Sequence, residues 1–431
     1  MEDRNDKDTY GTEKSEDTEA KQSGDSVPDE NASDESDHSP AHAARFSPGG
    51  SAIKTGRIRF GHVALTLIKK NVVLIIAVCA ALITCIFVPF DAEYGGYFDL
   101  RTLSCLFCTL AVVAAFRNIH FFVWLADVIV RRFGNMRNVI LALVGVTYFG
   151  SMIMANDMAL VTFLPLGYFV LEACGNKKAI AFTFIMQNIA ANLGGMLTPF
   201  GNPQNLYLYS FYEIETGEFF RIMSIPFATA FVLILAVCMF VRPEKVNVGD
   251  KPEYRPPVVR SILYALLFAL SVMIVFRVFP YYWGLLAVFV AILILDARAL
   301  LRVDYGLLLT FCAFFVFSGN LARIDAVKEF LGNLVSVDPL AFGVLSCQVI
   351  SNVPSSVLLS HFTLDYTRLL VAVNIGGLGT PIASLASLIT LNTYRKVMPG
   401  HTRSYLGKFS ALNFSFLAVL LGSGYLTAAI L

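Results

Sequence analysis

The chain has 431 residues, of which 56% are hydrophobic and only 15% charged, and its mean hydropathy is +0.64. An average soluble domain carries about 25% charged residues, so this composition excludes a soluble globular protein and points to an integral membrane protein. At about 20 residues per helical crossing, the chain beyond residue 50 has length for roughly ten to twelve passes, too many for an enzyme held by a single anchor.

The net charge of +1 hides an asymmetry, because residues 1–50 hold 14 Asp and Glu against 5 Lys and Arg, leaving 18 acidic and 28 basic residues downstream. Almost no aliphatic residue occurs in that segment, so composition predicts a disordered acidic tail. A signal peptide would need a basic start and an apolar core. The eight cysteines (Cys79, Cys85, Cys105, Cys108, Cys174, Cys238, Cys312 and Cys347) lie in or beside apolar runs and read as small hydrophobes. Cys105 and Cys108 share one apolar helical face without nearby ligands, so core packing is expected rather than redox or metal chemistry.

Hydropathy predicts full crossings at 71–89, 99–116, 179–209, 222–241, 259–279, 281–296, 304–320, 366–394 and 409–431. The shorter run 119–133 carries Asp127, Arg131 and Arg132 and reads as either a short crossing or an interfacial helix. Two regions differ from the rest. Residues 138–174 and 338–362 are each a pair of short apolar helices broken at the centre, by Asn156-Asp157 and by Ser351-Asn352-Val353-Pro354. If both are re-entrant hairpins, 22 of the 28 downstream basic residues fall on the cytoplasmic side and 6 on the external side. The acidic tail and a linker at 242–258 are then cytoplasmic, within a membrane domain spanning 60–431.

A repeat follows the two broken regions. Asn192-Leu-Gly194-Gly195-Met-Leu-Thr198-Pro199-Phe-Gly201 aligns with Asn374-Ile-Gly376-Gly377-Leu-Gly-Thr380-Pro381-Ile-Ala383, with Asn, two Gly, Thr and Pro at identical spacing. Five crossings separate the hairpins, an odd number, so the second unit (about 259–431) enters from the face opposite to the first (about 60–241). The expected fold is an all-α polytopic membrane protein with an inverted repeat, two re-entrant hairpins and two discontinuous helices, the architecture of many secondary transporters. Gly-Gly and Thr-Pro unwind a helix and release backbone groups that lipid cannot satisfy, so those groups must face protein, water or ligand. Freed carbonyls with Thr and Asn oxygens can replace the hydration shell of sodium, and half-helix N-termini offer amides to an anion.

Asp157 is the one acidic residue placed in the membrane interior, where a bare carboxylate is costly and usually functional; the competing role is a cap on the following half-helix. No H-E-x-x-H, phosphate-binding G-x-x-x-x-G-K or aspartate pair is present, so no enzyme active site and no ATPase site are expected and uphill work would come from an ion gradient.

The strings Ala155-Asn156-Asp157-Met158-Ala159-Leu160 and Gly194 through Leu206, which includes Gly201-Asn202-Pro203-Gln204-Asn205, resemble the ion transporter superfamily of arsenite permeases, sodium/proton antiporters, citrate transporters and divalent-anion symporters. The second half agrees through Ser351-Asn352-Val353-Pro354 and Asn374–Ala383. What the resemblance implies is a homodimer in which a mobile transport body moves like an elevator against a scaffold. It also implies a substrate site of Asn156, Asp157, Asn202, Pro203, Ser351, Asn352, Val353, Thr380 and Pro381. The implied cation sites comprise Asn156, Asp157, Gly195, Thr198, Gly201, Asn205, Ser351, Asn352, Gly377, Thr380 and Ala383, with sodium held there if sodium is the coupling ion. The tips lack two Thr and one Ser of the divalent-anion symporters, which points toward the arsenite, antiporter and citrate-like branch. The expected activity is gradient-driven transport of a small anion at the plasma membrane, with sodium or proton coupling, the lipid bilayer as surroundings, no other cofactor and no nucleic acid. A sodium/proton antiporter is the first alternative and a passive anion channel the second.

Overall fold

The computed structural model of the protein describes residues 72–246 and 254–431. The acidic tail and linker residues 247–253 lie outside the described residues. Seventeen α-helices follow in order among the described residues: α1 (Val72–Phe87), α2 (Leu100–Asn118), α3 (Phe121–Val130), α4 (Met136–Gly150), α5 (Asn156–Ala173), α6 (Ile180–Gly194), α7 (Pro203–Phe211), α8 (Thr216–Met239), α9 (Val258–Val275), α10 (Tyr281–Leu300), α11 (Tyr305–Ala322), α12 (Asp325–Val337), α13 (Pro339–Ile350), α14 (Asn352–Leu359), α15 (Tyr366–Ile375), α16 (Leu385–Val397) and α17 (Thr402–Ile430). Seven helical stretches are long and apolar enough to cross a membrane, or eight if α12 and α13, bent by 119° at their junction, form one broken span.

Acidic and amide side chains mark where many of these helices begin. Asp99 accepts from the Thr102 amide, Asp304 from Leu307, Asp338 from Leu340 and Ala341, Asp365 from Arg368, and Asn135 from Asn138. Each supplies an acceptor for an amide that has no partner within its own helix. The outer faces are apolar. α1 buries only Ala77, Ala81 and Thr84 while Ile76 and Ile86 stand exposed, and α9 and α10 likewise expose Val258, Leu266 and Ile294. Such all-round apolar helices belong in a lipid environment.

Packing divides the helices into two sets. In one, α1 packs on α11, and α2 packs on α9, α10 and α11. In the other, α4 and α5 pack on α6, α13 and α14 pack on α15, α6 packs on α8, and α17 packs on α8 and α15. Within this second set each broken region leans on the other half of the chain, α5 on α16 and α14 on α7. Helices α3 and α12 link the sets along the chain, one between α2 and α4, the other between α11 and α13, and the sets also meet directly where α14 packs on α11 and α7 on α2.

Several expected spans are shorter or interrupted. The 179–209 stretch is α6 and α7 separated by a 3-10 turn at Gly195–Leu197 and an extended Thr198. The 366–394 stretch is α15 and α16 with residues 376–384 non-helical between them. The 119–133 run is a ten-residue helix, α3. Its Asp127 pairs with Arg131 one turn on, at 2.7 Å, which is how a charged pair is accommodated on a mostly apolar segment. Residues 325–337, which lie outside every crossing that hydropathy predicts, form the amphipathic helix α12. The linker is also less free than its composition implies, since Met136 donates to Glu244 O and Val246 to Gly134 O, pinning 244–246 to the start of α4.

Candidate functional site

Both broken regions end in an asparagine that opens the second arm. Asn156 starts α5 and Asn352 starts α14, and each turns its side-chain oxygen onto the next backbone amide, of Asp157 at 2.9 Å and Val353 at 3.0 Å. Ser351 precedes Asn352 with φ +76°, a left-handed conformation that a non-glycine residue keeps only where surrounding contacts enforce it. Here the contacts come from Ala383, whose carbonyl accepts from the Asn352 amide at 2.9 Å and from Ser351 Oγ at 3.3 Å.

The unwound segment after α6 gathers oxygens. The carbonyls of Gly195, Met196 and Thr198 all lie 3.2 Å from Asn205 Nδ2, so three dipoles converge on one point. The close approach depends on glycine, because a Cβ on Gly201 would overlap the Gly195 carbonyl oxygen and stand 2.6 Å from Thr198 Oγ1.

Asparagines then tie the halves together. Asn156 Nδ2 donates to Asn192 Oδ1 at 3.1 Å; Asn202 Nδ2 donates to the Asn192 carbonyl at 3.3 Å and to Asn374 Oδ1 at 3.2 Å; Asn374 Nδ2 donates to Asn205 Oδ1. All five are buried. Gly377 sits where a Cβ would be 3.0 Å from Asn352 Nδ2 and 3.3 Å from Asn192 Oδ1, so the second tip reaches the same knot. Asn202, at the start of α7, caps no amide of that helix, and its Oδ1 is buried without a partner. The three carbonyls already accept from Asn205 Nδ2, and with the unpartnered Asn202 Oδ1 they supply oxygens of the kind that ligate a hard cation such as sodium.

The two threonines of the repeat have one shared contact. Thr198 Oγ1 donates to Met152 O at 2.9 Å and Thr380 Oγ1 to Gln348 O at 3.3 Å, in both cases the carbonyl four residues before the tip asparagine. Gln348 also accepts from the Thr380 amide and donates to the Gly376 and Leu378 carbonyls, holding the second unwound segment open.

Of the residues read from sequence, Asn156, Gly195, Gly201, Asn202, Asn205, Asn352 and Gly377 come together in this knot. Ser351, Val353 and Ala383 belong to the second tip; Thr198 and Thr380 dock the unwound segments onto the broken regions; Pro203 is the first residue of α7; Pro381 lies half-buried beside Thr380. Asp157 stands apart, since only its backbone amide bonds to Asn156 and its carboxylate Oδ1 is buried with no partner. The candidate set omitted Asn192 and Asn374, although both were matched positions of the repeat.

The sequence also places no lysine or arginine at either tip, yet the fold brings one there. Arg117, at the end of α2, reaches Met158 Sδ at 3.4 Å, one residue beyond Asp157. It lines a cavity of about 250 Å³ together with His120, Thr162 and Arg302. A larger cleft lies elsewhere, about 670 Å³ between α2 and α10, lined mainly by Leu103, Phe107, Leu286 and Phe289 and facing outward with little polar chemistry.

Comparison with known proteins places these features among transporters. The family model described as citrate transporter matches residues 62–367. An uncharacterized transporter of Methanocaldococcus jannaschii is 34% identical over 300 residues, 68% of this chain and 80% of the relative. The inner membrane protein YbiR of Escherichia coli K12 is 31% identical over 314 residues, 71% of this chain and 83% of the relative. A shorter match, 32% identical over 119 residues, links 27% of this chain to 24% of the rice silicon efflux transporter LSI3.

Proposed function

This chain belongs to the citrate transporter family of membrane transporters, and from that premise we propose that it is a secondary active carrier that moves a small anion, citrate-like or an oxyanion, against its gradient at the expense of sodium or protons. The observation that carries the reading is the buried asparagine knot, which joins both tips and the first unwound segment and leaves Asn202 Oδ1 without a partner beside converging carbonyls. Polar groups of this kind are costly among apolar helices and are kept where they meet a ligand.

In this reading the two broken regions are re-entrant hairpins of an inverted repeat, α4–α8 and α13–α17 form the moving body, and α1, α2 and α9–α11 form the scaffold of a homodimer. The amino-terminal tail is cytoplasmic and the membrane is the plasma membrane. The silicon efflux name of the rice relative favours testing oxyanions beside carboxylates. A sodium/proton antiporter is the second reading, favoured by Asp157 Oδ1, a buried carboxylate oxygen that receives no hydrogen bond among the described residues.

The test is flux into sealed vesicles. Asn156→Ala and Asn352→Ala are each expected to abolish gradient-driven uptake across a panel of citrate, sulfate and arsenite while the protein remains folded and inserted. Near-normal uptake by both variants would mean that the knot serves packing alone.

A further inference from the structure

We propose that the cavity between the end of α2, the start of α3 and the second arm of the first broken region is a capture site for a small carboxylate or oxyanion, with Arg117 and Arg302 as its cationic groups. This rests on the anion-carrier reading above and adds to it a place and a charge that the asparagine knot does not supply.

Three observations converge. First, Arg117 is half-buried, yet among the described residues its one hydrogen bond goes to a thioether sulfur, a weak acceptor, and it makes no ion pair. A guanidinium has five N–H donors, so most of its capacity is left for something else. Second, two carboxylates of the same helix ends already have hydrogen-bond partners of their own. Asp304 caps α11 through the Leu307 amide, and Asp296 accepts from Asn118 Nδ2 at 2.7 Å. Arg302, among the described residues, donates to the neutral Asn118 Oδ1 and makes no ion pair. Among the described residues the lining carries two guanidiniums, the His120 ring and the Thr162 hydroxyl, and no carboxylate. Third, the cavity is beside the first tip. Met158, which touches Arg117, directly follows Asp157.

The size and the donor type define the ligand class. About 250 Å³ suits a small anion rather than a larger organic molecule. A planar guanidinium pairs with two oxygens of a carboxylate or oxyanion at once, so chloride would be a poor ligand. Arg117 and Arg302 come from the α2 and α10 ends, whereas Thr162 comes from α5, so the site spans the two packing sets. It is a station at which an anion is collected before passing to the tip. Asp157 then has a defined part: its negative charge opposes the anion until a cation or proton neutralises it, which makes capture depend on the coupling ion.

The experiment uses the full-length protein, purified in detergent and also reconstituted, with citrate and sulfate as probes. Arg117→Gln and Arg302→Gln should each weaken binding by about tenfold or more, the effect of losing one charge-assisted hydrogen bond. In vesicles of zwitterionic lipid the variants should raise KM far more than they lower kcat, and Arg117→Lys should not restore wild-type KM. The wild type should also lose uptake rate with added salt more steeply than either variant. Wild-type binding and KM in both Gln variants, at unchanged thermal stability, would overturn the inference while leaving the carrier reading intact. An effect of the variants seen only in vesicles of anionic lipid would mean that the guanidiniums hold a lipid headgroup, which also overturns it. Absence of anion flux in the wild type under every gradient would instead sink the carrier reading itself.

Discussion

Gly201→Ala tests the carbonyl cradle at a position where geometry leaves little freedom. The added Cβ would overlap the Gly195 carbonyl oxygen and lie 2.6 Å from Thr198 Oγ1 and 3.0 Å from the Gly195 carbonyl carbon, and two of these three atoms are backbone. Backbone cannot swing aside, so Gly195 or Gly201 must shift. Overpacking of this kind costs about 1–3 kcal/mol. Displacing Thr198 from Met152 O adds about 1 kcal/mol. Stability should therefore fall by roughly 2–4 kcal/mol, measurable and survivable. The effect on function should be larger in kind, because the Gly195 carbonyl is one of the converging oxygens. Losing one such ligand is worth about 1.5–3 kcal/mol, or roughly a 10- to 100-fold rise in the cation concentration for half-maximal flux. Gly145→Ala is the control: nothing lies within 4 Å of its Cβ, and in mid-helix it should be neutral or slightly stabilising. The assay is vesicle uptake against sodium concentration and pH, with thermal stability in parallel. A folded Gly201→Ala protein with wild-type half-saturation for both ions would refute the cradle as a cation site. Ala383, the matched position, already carries a Cβ, so Ala383→Gly should change cation response little.

Asp157→Asn, which mimics the protonated carboxyl in shape and charge, is expected to keep anion binding or exchange but to lose dependence on the driving gradient; retained dependence would remove Asp157 from the coupling. Thr198→Val removes the bond to Met152 O and should lower stability by about 1 kcal/mol while weakening cation dependence, and a stability change alone would assign Thr198 to docking only. At Asp91, which caps the 3-10 helix Ala92–Tyr97, the hydrogen bond from Arg323 holds the carboxyl below its ordinary value. A folded pKa below the unfolded one means that the stabilisation is present above about pH 4 and fades as pH falls further. Asp91→Asn should therefore be less heat-stable than wild type at pH 7 and converge with it in acid, and a constant difference across pH would contradict the assignment.

The broken helices were legible because their cause is local. Gly194-Gly195 and Thr198-Pro199 end a helix wherever they occur, and Asn156 and Asn352 stand out as polar residues in apolar runs. What sits beside them was not legible. Asn202 meets Asn374 across 172 residues, and Arg117 meets Met158 from a segment that hydropathy assigns to a helix end. No periodicity encodes such pairings; the first comes from α7 packing on α15, the second from the end of α2 lying beside the first turn of α5. Helix α12 escaped for a different reason. Asp325, Lys328 and Glu329 lower its mean hydropathy, although Phe330, Leu334 and Val337 recur at helical spacing and are exposed.

The central claim, that this carrier couples an anion to a cation gradient through the asparagine knot, is tested most directly by citrate flux in sealed proteoliposomes with imposed sodium and proton gradients. The account predicts accumulation above the external concentration that collapses when the coupling gradient is dissipated and is lost in Asn156→Ala. Flux that only equilibrates citrate, with a reversal potential insensitive to sodium and pH, would contradict it and make the protein a passive anion channel.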